Sequence, residues 1–364
     1  MGNGIVGQKF CGLVDLLNFV ERFTPMKKIS SYLLAFSALL LIFSCSPQDD
    51  RCAKQPDTSN INIDLQFEQT ETALMQDRSK AGIQKFLEEH PAFATLFLKR
   101  GQQPHDSILV NDLYHRINHP SFLELKKLTD STFNQVDLKG QFEQAFRNIK
   151  FYYPAFQAPR IITGITGFDT NFQGLDDDLY VSDSLIVIGL DYFLGPQSKY
   201  RPIGIPEYIL KRYTPTYIVP SVLNQMANKY IGNNPKDRSL LADMIFFGKA
   251  FYFTKTMAPC TPDSVIIGYT AEELQESKDH SQIIWANLVK NKMLYETGHE
   301  MKKKFIGERP KTIEMGEKCP GRIGQWVGWE IVEKYMQARK HTHIQDFLKT
   351  DSAPAVLAKS KYKG

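Results

Sequence analysis

The sequence predicts an α+β fold that is mostly α-helical and contains one small antiparallel sheet. Apolar residues recur at helical spacing through residues 70–147 and again after Pro215. Two runs rich in Ile, Val, Leu and Tyr, 160–168 and 179–193, flank a polar turn region, which is the pattern of a hairpin. Of the 364 residues, 42% are hydrophobic and 23% are charged, as is typical of a globular protein.

The N-terminal residues have the features of an export signal. A positively charged segment that begins at Met26 precedes the apolar run 32–43, an arrangement typical of a secretory signal. At ~1.5 Å per residue this run reaches only ~18 Å, which is too short for the ~30 Å hydrocarbon core of a membrane. We interpret residues 26–44 as a cleaved signal and residues 1–25 as an extension from an upstream start site.

Cys45 directly follows the small residue Ser44 at the end of the apolar run. This arrangement resembles a bacterial lipobox, which implies cleavage before Cys45 and acylation of that residue, and several acyl chains hold a protein firmly on a membrane. The alternative is an ordinary signal peptide with an incidental cysteine. Residues 45–60 are nearly devoid of apolar side chains and are expected to form a flexible tether.

The expected location is therefore the cell envelope, with the lipid anchor as the contact to the membrane. Ser46 and the acidic stretch Gln48-Asp49-Asp50 favour the outer membrane or the cell surface, and the inner membrane stays open.

The mature chain begins with a predicted strand. Apolar and polar residues alternate from Ile61 to Glu68, which is the period of a strand with one buried face. Short helices are expected up to residue 150, and the antiparallel sheet opens the segment 151–364. We expect 61–150 and 151–364 to form one compact unit.

Four longer helices are predicted in the C-terminal half. The first has a broad apolar stripe over 217–230, and the second is centred on 240–252. The third starts at the capping-box pattern Thr270-Ala-Glu-Glu273 and runs to about Met301. The fourth covers 323–336.

Charge and motifs limit the chemistry that the chain can perform. The net charge of +4, from 44 basic and 40 acidic residues, argues against a nucleic-acid partner. The sequence has no phosphate-binding loop, no nucleophile elbow and no pair of Cys-x-x-Cys motifs, so neither a cofactor nor a structural zinc is expected. Cys260 and Cys319 are expected to form a disulfide, because an exported protein enters an oxidising compartment.

Two histidine patterns are candidates for a metal site. The residues at 299–300 start like the zinc motif H-E-x-x-H, but Lys303 occupies the place of the second histidine and would repel the ion. His115 and His119 have the i, i+4 spacing that could hold a metal. They keep an active metal-dependent hydrolase with non-standard ligands open as an alternative.

The lipobox and six further segments together resemble the gliding-motility lipoprotein GldB family, and the resemblance covers essentially all of residues 45–364. The segments are Phe67-Glu68, Gly189–Gly195, Tyr217–Met226, Asp243–Phe253, Gly324–Trp329 and Ser360–Lys363. The resemblance implies an envelope lipoprotein that is needed by the machinery of gliding bacteria. It also implies partners among the envelope proteins of that machinery.

A more distant resemblance is to zinc metallopeptidases of the gluzincin type, in the order of a small sheet, one helix and a second helix with Gly-x-Ala-x-Tyr. Those enzymes carry H-E-x-x-H on the first helix and a glutamate before the glycine on the second. Here the helix at 217–230 contains no His, Asp or Glu, and Phe247 precedes Gly248. The resemblance implies an inactive, degenerate zincin-like core without a metal, unless the helix order matches by chance.

The leading hypothesis is a non-enzymatic, lipid-anchored envelope protein that supports gliding motility by binding or scaffolding other components. A residual cleft could hold a peptide without cutting it. Gln325, Trp326 and Trp329 are candidate ligand contacts, although the i, i+3 spacing of Trp326 and Trp329 favours a place in the core. Besides the hydrolase, a ligand-binding or assembly lipoprotein without a role in motility is the alternative.

Overall fold

The computed structural model describes residues 50–53, 55–168, 178–232, 234–350 and 352–364. The chain divides into two units, residues 1–53 and 54–364. Of the first unit the structure describes the short helix α1 (Asp50–Ala53). The interpreted signal at 26–44 and the predicted anchor Cys45 lie outside the described residues. None of the described helices is long and apolar enough to cross a membrane.

In the second unit, six helices follow the first strand and lead to the rest of the sheet. They are α2 (Thr70–Ala73), α3 (Lys80–Glu89), α4 (Pro91–Leu96), α5 (Asp106–Ile117), α6 (Pro120–Phe133) and α7 (Leu138–Tyr152). Side-chain caps define several of their starts: the Ser79 hydroxyl accepts from the Gly82 N–H, and the Asp137 carboxylate accepts from the Gly140 N–H. The predicted series of short helices is confirmed.

The sheet has four strands, and it is mixed rather than antiparallel. The strands are β1 (Phe67–Gln69), β2 (Arg160–Gly164), β3 (Leu179–Val181) and β4 (Leu185–Gly189), in the order β1-β2-β4-β3. β1 pairs with β2, and β2 with β4, in parallel, whereas β3 pairs with β4 in antiparallel fashion. The second apolar run therefore supplies both strands of the hairpin, and β2 lies beside β4 instead of folding back on it.

Burial on both faces explains why the central strands are parallel. All five residues of β4 are buried. Ile186 and Ile188 belong to one apolar cluster with α7, and Leu185 and Val187 belong to another with the helices between β1 and α7. Parallel strands are normally covered on both faces and read as continuous apolar runs. The α+β class is confirmed, and the antiparallel prediction is wrong except for the β3–β4 pair.

Ten helices follow the sheet in the described part of the chain. They are α8 (Glu207–Leu210), α9 (Ile218–Met226), α10 (Leu240–Met257), α11 (Asp263–Ile267), α12 (Ala271–Asp279), α13 (Ser281–Lys290), α14 (His299–Ile306), α15 (Ile323–Gln337), α16 (Ile344–Leu348) and α17 (Ala353–Ser360). Short 3₁₀ turns at Leu190–Phe193, Pro215–Tyr217, Ala227–Lys229 and Met293–Tyr295 connect some of them.

Three predicted elements are shorter in the structure. The helix predicted over 217–230 is α9 (Ile218–Met226), which is followed by the 3₁₀ turn Ala227–Lys229. The capping box at Thr270 and Glu273 is present, but the helix it starts ends at Asp279, and the predicted helix to Met301 is three separate helices. The predicted strand from Ile61 is reduced to β1, because the residues before Phe67 are extended without a ladder, although Ile63 and Leu65 are buried.

A close crossing of α10 and α15 forms the centre of the larger apolar cluster. Gly248 and Gly328 lie at the crossing, where a Cβ on Gly328 would come within 1.8 Å of the Met244 carbonyl oxygen. Phe251 of α10 packs on Trp329 of α15 with ring centroids 5.4 Å apart. The absence of side chains at the two glycines lets the helix backbones approach each other directly.

Candidate functional site

The structure places the three predicted ligand contacts on the buried face of α15. Gln325 is 6% exposed, Trp326 is 1% exposed and Trp329 is 3% exposed. The Gln325 side-chain amide donates to the carbonyl oxygen of Ile306 at 2.6 Å, and Trp329 Nε1 donates to Glu333 Oε1 at 3.0 Å. None of the three lines either cleft described below, so their role as ligand contacts stays a prediction.

The predicted disulfide between Cys260 and Cys319 is wrong. Cys319 carries a free thiol and is partly buried, whereas Cys260 and Cys52 are each disulfide-bonded. Burial raises the pKa of the Cys319 thiol to about 12. The sulfur is therefore protonated and unreactive at physiological pH.

The two spaced histidines do not share a helix. His115 lies in the last turn of α5, which ends at Ile117, whereas His119 caps α6 and its Nδ1 accepts from the Ser121 N–H at 3.2 Å. Both side chains are exposed. Within the described ranges, no group of three or more His, Cys, Asp or Glu side chains is placed to hold a metal ion.

The outer edge of β3 presents backbone groups that pair with no other strand among the described residues. Gly189 N–H donates to the Asp178 carbonyl, and Ser182 N–H donates to the Leu185 carbonyl, both at 2.9 Å. In an antiparallel ladder the bonded residues alternate, so the N–H and C=O groups of Leu179 and Val181 face away from β4. β3 is the last strand of the sheet as described, and no strand of the described chain pairs with that edge.

A groove of about 440 Å³ lies next to the end of β3. One wall is formed by Val181, Ser182 and Asp183, and another by the end of α9 with Gln225 and Met226. The remaining lining residues come from the 3₁₀ turn after α9 and from the loop between α7 and β2; they are Lys229, Tyr230, Tyr153, Ala155, Phe156 and Gln157.

Aromatic side chains form a rigid floor for the groove. The rings of Tyr153 and Tyr230 lie 4.3 Å apart between centroids, and Tyr230 stacks on Phe253 of α10 at 5.0 Å. Phe156 packs edge-on against Phe146 of α7 at 5.4 Å. Because these rings are anchored on α7 and α10, the floor is held by the same elements that build the core.

Buried polar groups lie in the groove wall and beside it. The Tyr153 hydroxyl and the Asn224 side-chain oxygen are buried and have no hydrogen-bond partner in the described part of the chain, which is unusual for buried polar atoms. Burial raises the pKa of Tyr153 and raises that of Tyr230 to about 12. Both phenols are thus neutral hydrogen-bonding groups at any physiological pH.

A salt bridge crosses the groove at its rim. Lys229 Nζ lies 2.9 Å from Asp183 Oδ1, and both side chains are largely exposed. An exposed pair of this kind contributes little stability, so a ligand can displace it at small cost. The groove is therefore an open site with an apolar floor, hydrogen-bonding walls and one exchangeable ion pair.

Sequence reasoning missed this groove, although a signal was present. The segment 151–157 reads Phe-Tyr-Tyr-Pro-Ala-Phe-Gln, with four aromatic residues around the proline that ends α7. Aromatic residues concentrated in a loop between a helix and a strand are typical of a binding surface, because loops on a rigid scaffold carry function. The prediction from the sequence did not single out this segment.

Comparison with known proteins places the chain in a motility context. A protein-family model described as gliding motility protein GldB matches residues 51–364. No curated protein and no solved structure gives a significant match.

Proposed function

Because the chain belongs to the GldB family of gliding motility proteins, we propose that it acts as a non-enzymatic scaffold that binds an extended polypeptide segment of another envelope component. The family membership makes it a gliding motility lipoprotein of the cell envelope. The binding activity and the groove that carries it are the proposed part.

The observation that supports this proposal is the edge of β3, which pairs with no other strand among the described residues and lies beside the aromatic groove. An extended peptide can add a strand to an exposed sheet edge, where backbone hydrogen bonds supply affinity and pockets for alternate side chains supply specificity. The outward N–H and C=O groups of Leu179 and Val181 can form these backbone hydrogen bonds. The groove lined by Tyr153, Phe156 and Met226 can serve as the pocket for the side chains of the peptide.

The chemistry of the groove favours holding a peptide over cleaving it. Gln225 of α9 and Lys229 of the 3₁₀ turn after it line the groove, and an amide and an ammonium group hydrogen-bond a peptide but are not zinc ligands. Asp183, a carboxylate in the lining, is paired with Lys229. The neutral phenols of Tyr153 and Tyr230 add hydrogen-bonding capacity without a titratable base near pH 7. These features support a binding role.

Val181→Pro tests the proposal with little disturbance of the sheet. Proline removes the N–H of Val181, which faces outward, and leaves the bonds of Tyr180 and Ser182 to β4 intact; proline is tolerated on edge strands in this position. Val181→Thr is the matched control, because it is also β-branched and keeps the N–H. A photo-crosslinking amino acid at Ser182, on the groove rim, reports on the partner in living cells.

We expect a discrete crosslinked product from Ser182 in the Val181→Thr background and its loss, together with reduced colony spreading, in the Val181→Pro background. A second crosslinker at Ile283, which is 67% exposed on α13 and outside the groove, should not give this product. Equal products from both backgrounds, or normal spreading with Val181→Pro, would contradict the proposal. Chelator-sensitive cleavage of a peptide library by the purified protein would contradict its non-enzymatic part.

Replacing Cys45 by Ala tests the anchor separately. Acylation of Cys45 is the proposed attachment, so the variant should move from the membrane fraction to the soluble fraction. Retention of Cys45→Ala in the membrane fraction would show that another feature holds the protein there.

A further inference from the structure

A second cleft, of about 260 Å³, lies at the opposite end of α9 from the groove. Tyr217, immediately before α9, and Tyr208 of α8 form part of its wall. The loop after α11, the start of α12 and the loop that leads into α15 complete it. Neither the family description nor the proposed peptide groove involves this cleft.

Two arginines from different elements converge on one carboxylate in the cleft. Arg212 Nη2 lies 3.0 Å from Glu308 Oε1, and Arg322 Nε lies 3.6 Å from Glu308 Oε2. The side chain of Arg322 is 12% exposed and that of Arg212 is 20% exposed. Arg322 Nη2 also donates to the Ile267 carbonyl at 2.7 Å, which fixes the orientation of its guanidinium group.

The cleft therefore holds more positive than negative charge. Glu308 can neutralise only one of the two arginines. The next acidic and basic groups pair with each other, since Lys311 reaches Glu273 at 3.4 Å and Arg309 reaches Glu314 at 3.1 Å. Exposed Lys211 adds a further cation to the lining.

Burial makes this excess positive charge energetically costly. A charge that leaves water needs a partner of opposite sign. Burial and the neighbouring Arg212 both lower the pKa of Arg322, with burial as the larger cause. Both causes disfavour the charged form of Arg322, and an anion bound in the cleft would stabilise that form.

The backbone is shaped so that the arginines reach the cleft. Gly268 has a φ of +73°, and a Cβ at this position would come within 2.5 Å of Arg212 Cδ. Arg322 itself adopts a left-handed φ of 59° at the start of α15, which is uncommon for a residue other than glycine. The aromatic ring of Tyr269 lies beneath the Arg322 guanidinium at 5.8 Å, and its hydroxyl donates to the Gly321 carbonyl at 2.6 Å.

We propose that this cleft is a binding site for a small organic anion, in which the guanidinium groups of Arg212 and Arg322 bind a carboxylate or phosphate group and the tyrosine and proline walls hold an apolar part. Guanidinium forks match the oxygens of both anions. Tyr208, Tyr217, Pro310 and Pro320 give the remaining wall an apolar character. The volume suits one ring or a short aliphatic chain beside the anionic group.

The test is a calorimetric titration of the full chain with benzoate, phenyl phosphate and inorganic phosphate at constant ionic strength. Benzamide, which is neutral but has the same ring, is the control ligand. The key variant is Arg212→Gln, and Lys290→Gln removes the same charge from an exposed position on α13, outside the cleft. Glu308→Gln removes the internal competitor for the two arginines.

We expect benzoate or phenyl phosphate to bind the wild type and Lys290→Gln alike, and benzamide not to bind. Arg212→Gln should weaken binding by about tenfold or more, because a hydrogen bond to a charged group contributes roughly a tenfold to hundredfold factor. Glu308→Gln should strengthen it. Tighter binding of benzoate than of phenyl phosphate assigns the site to a carboxylate, and the reverse assigns it to a phosphate. Equal affinity of Arg212→Gln and Lys290→Gln, or no binding by any anion, would overturn the proposal without affecting the peptide groove.

Discussion

Replacing Gly328 by Ala should destabilise the protein through a backbone collision. A Cβ built on Gly328 lies 1.8 Å from the Met244 carbonyl oxygen and 2.4 Å from the Met244 carbonyl carbon. Real Cβ atoms essentially never come closer than 3.0 Å to another heavy atom, so α10 and α15 would have to separate by more than about 1 Å. Both contacting groups belong to helix backbones, so no side chain can rotate away to relieve the clash.

The expected decrease in the free energy of unfolding follows from two opposing effects. Overpacking a core costs about 1–3 kcal/mol, and the upper end applies because both partners are helix backbones. Alanine recovers roughly 1 kcal/mol of helix propensity relative to glycine. The free energy of unfolding of Gly328→Ala should therefore fall by about 2 kcal/mol, as measured by urea unfolding followed by tryptophan fluorescence.

Gly324→Ala is the matched control on the same helix. It gains the same helix propensity, but its Cβ would lie 3.1 Å from the Phe305 carbonyl oxygen, where a shift of a few tenths of an ångström suffices. We expect it to stay within about 1 kcal/mol of the wild type. If Gly328→Ala were as stable as Gly324→Ala, the close approach of α10 and α15 would not be a property of the folded protein.

Three further predictions concern buried polar groups. Burial raises the pKa of Glu71 above its usual value of 4.5, so the folded state binds the proton more tightly than the unfolded state, and this stabilisation is lost as the pH rises above 4.5. Glu71→Gln should therefore be more stable than the wild type at pH 7. In urea unfolding below about pH 4, the difference in stability between the two proteins should disappear. Iodoacetamide at pH 8 should label Cys319 slowly in the folded protein and rapidly in urea, while Cys260 should be labelled only after reduction; rapid labelling of folded Cys319 would contradict its burial. Gln325→Ala leaves the Ile306 carbonyl without its donor and should cost about 1–3 kcal/mol in unfolding, with the crosslink from Ser182 unchanged; loss of that crosslink in a folded variant would return Gln325 to the ligand contacts.

The helices were predictable because their signals are local. The apolar stripe at 217–230 and the capping box at Thr270 specify a helix and a helix start within a few residues, and both are present. Strand pairing is not local in this way. The runs 160–168 and 179–193 identify strand-forming segments, but pairing depends on what covers the two faces, and only the tertiary structure shows that β4 is covered on both.

The two apolar runs are consistent with the parallel pairing that the structure shows. Ile161-Ile162 and Leu185–Ile188 are continuous apolar stretches without the polar alternation of a strand with one wet face. A polar turn between two runs suggests a hairpin only if each run is a single strand. The turn at Ser182–Ser184 inside the second run divides it into β3 and β4.

Cysteine pairing and the binding surfaces depend on distant parts of the chain and were not predictable in the same way. Nothing in the spacing of Cys52, Cys260 and Cys319 shows which thiol stays free. The cleft arginines, Arg212 and Arg322, are 110 positions apart in the numbering. They meet at Glu308 only in the folded chain.

The position of α9 gives the two proposed sites a fixed relation. Val222 and Leu223 are fully buried in the larger apolar cluster, so the helix is held along its length by the core. Tyr217 lines the anion cleft and Lys229 lines the peptide groove, and at ~1.5 Å per residue these positions are roughly 18 Å apart. A rigid helix transmits little change between its ends, because a shift would require the packed core to rearrange. The two sites should therefore act independently on separate ligands, and a partner that engaged both would have to span that distance.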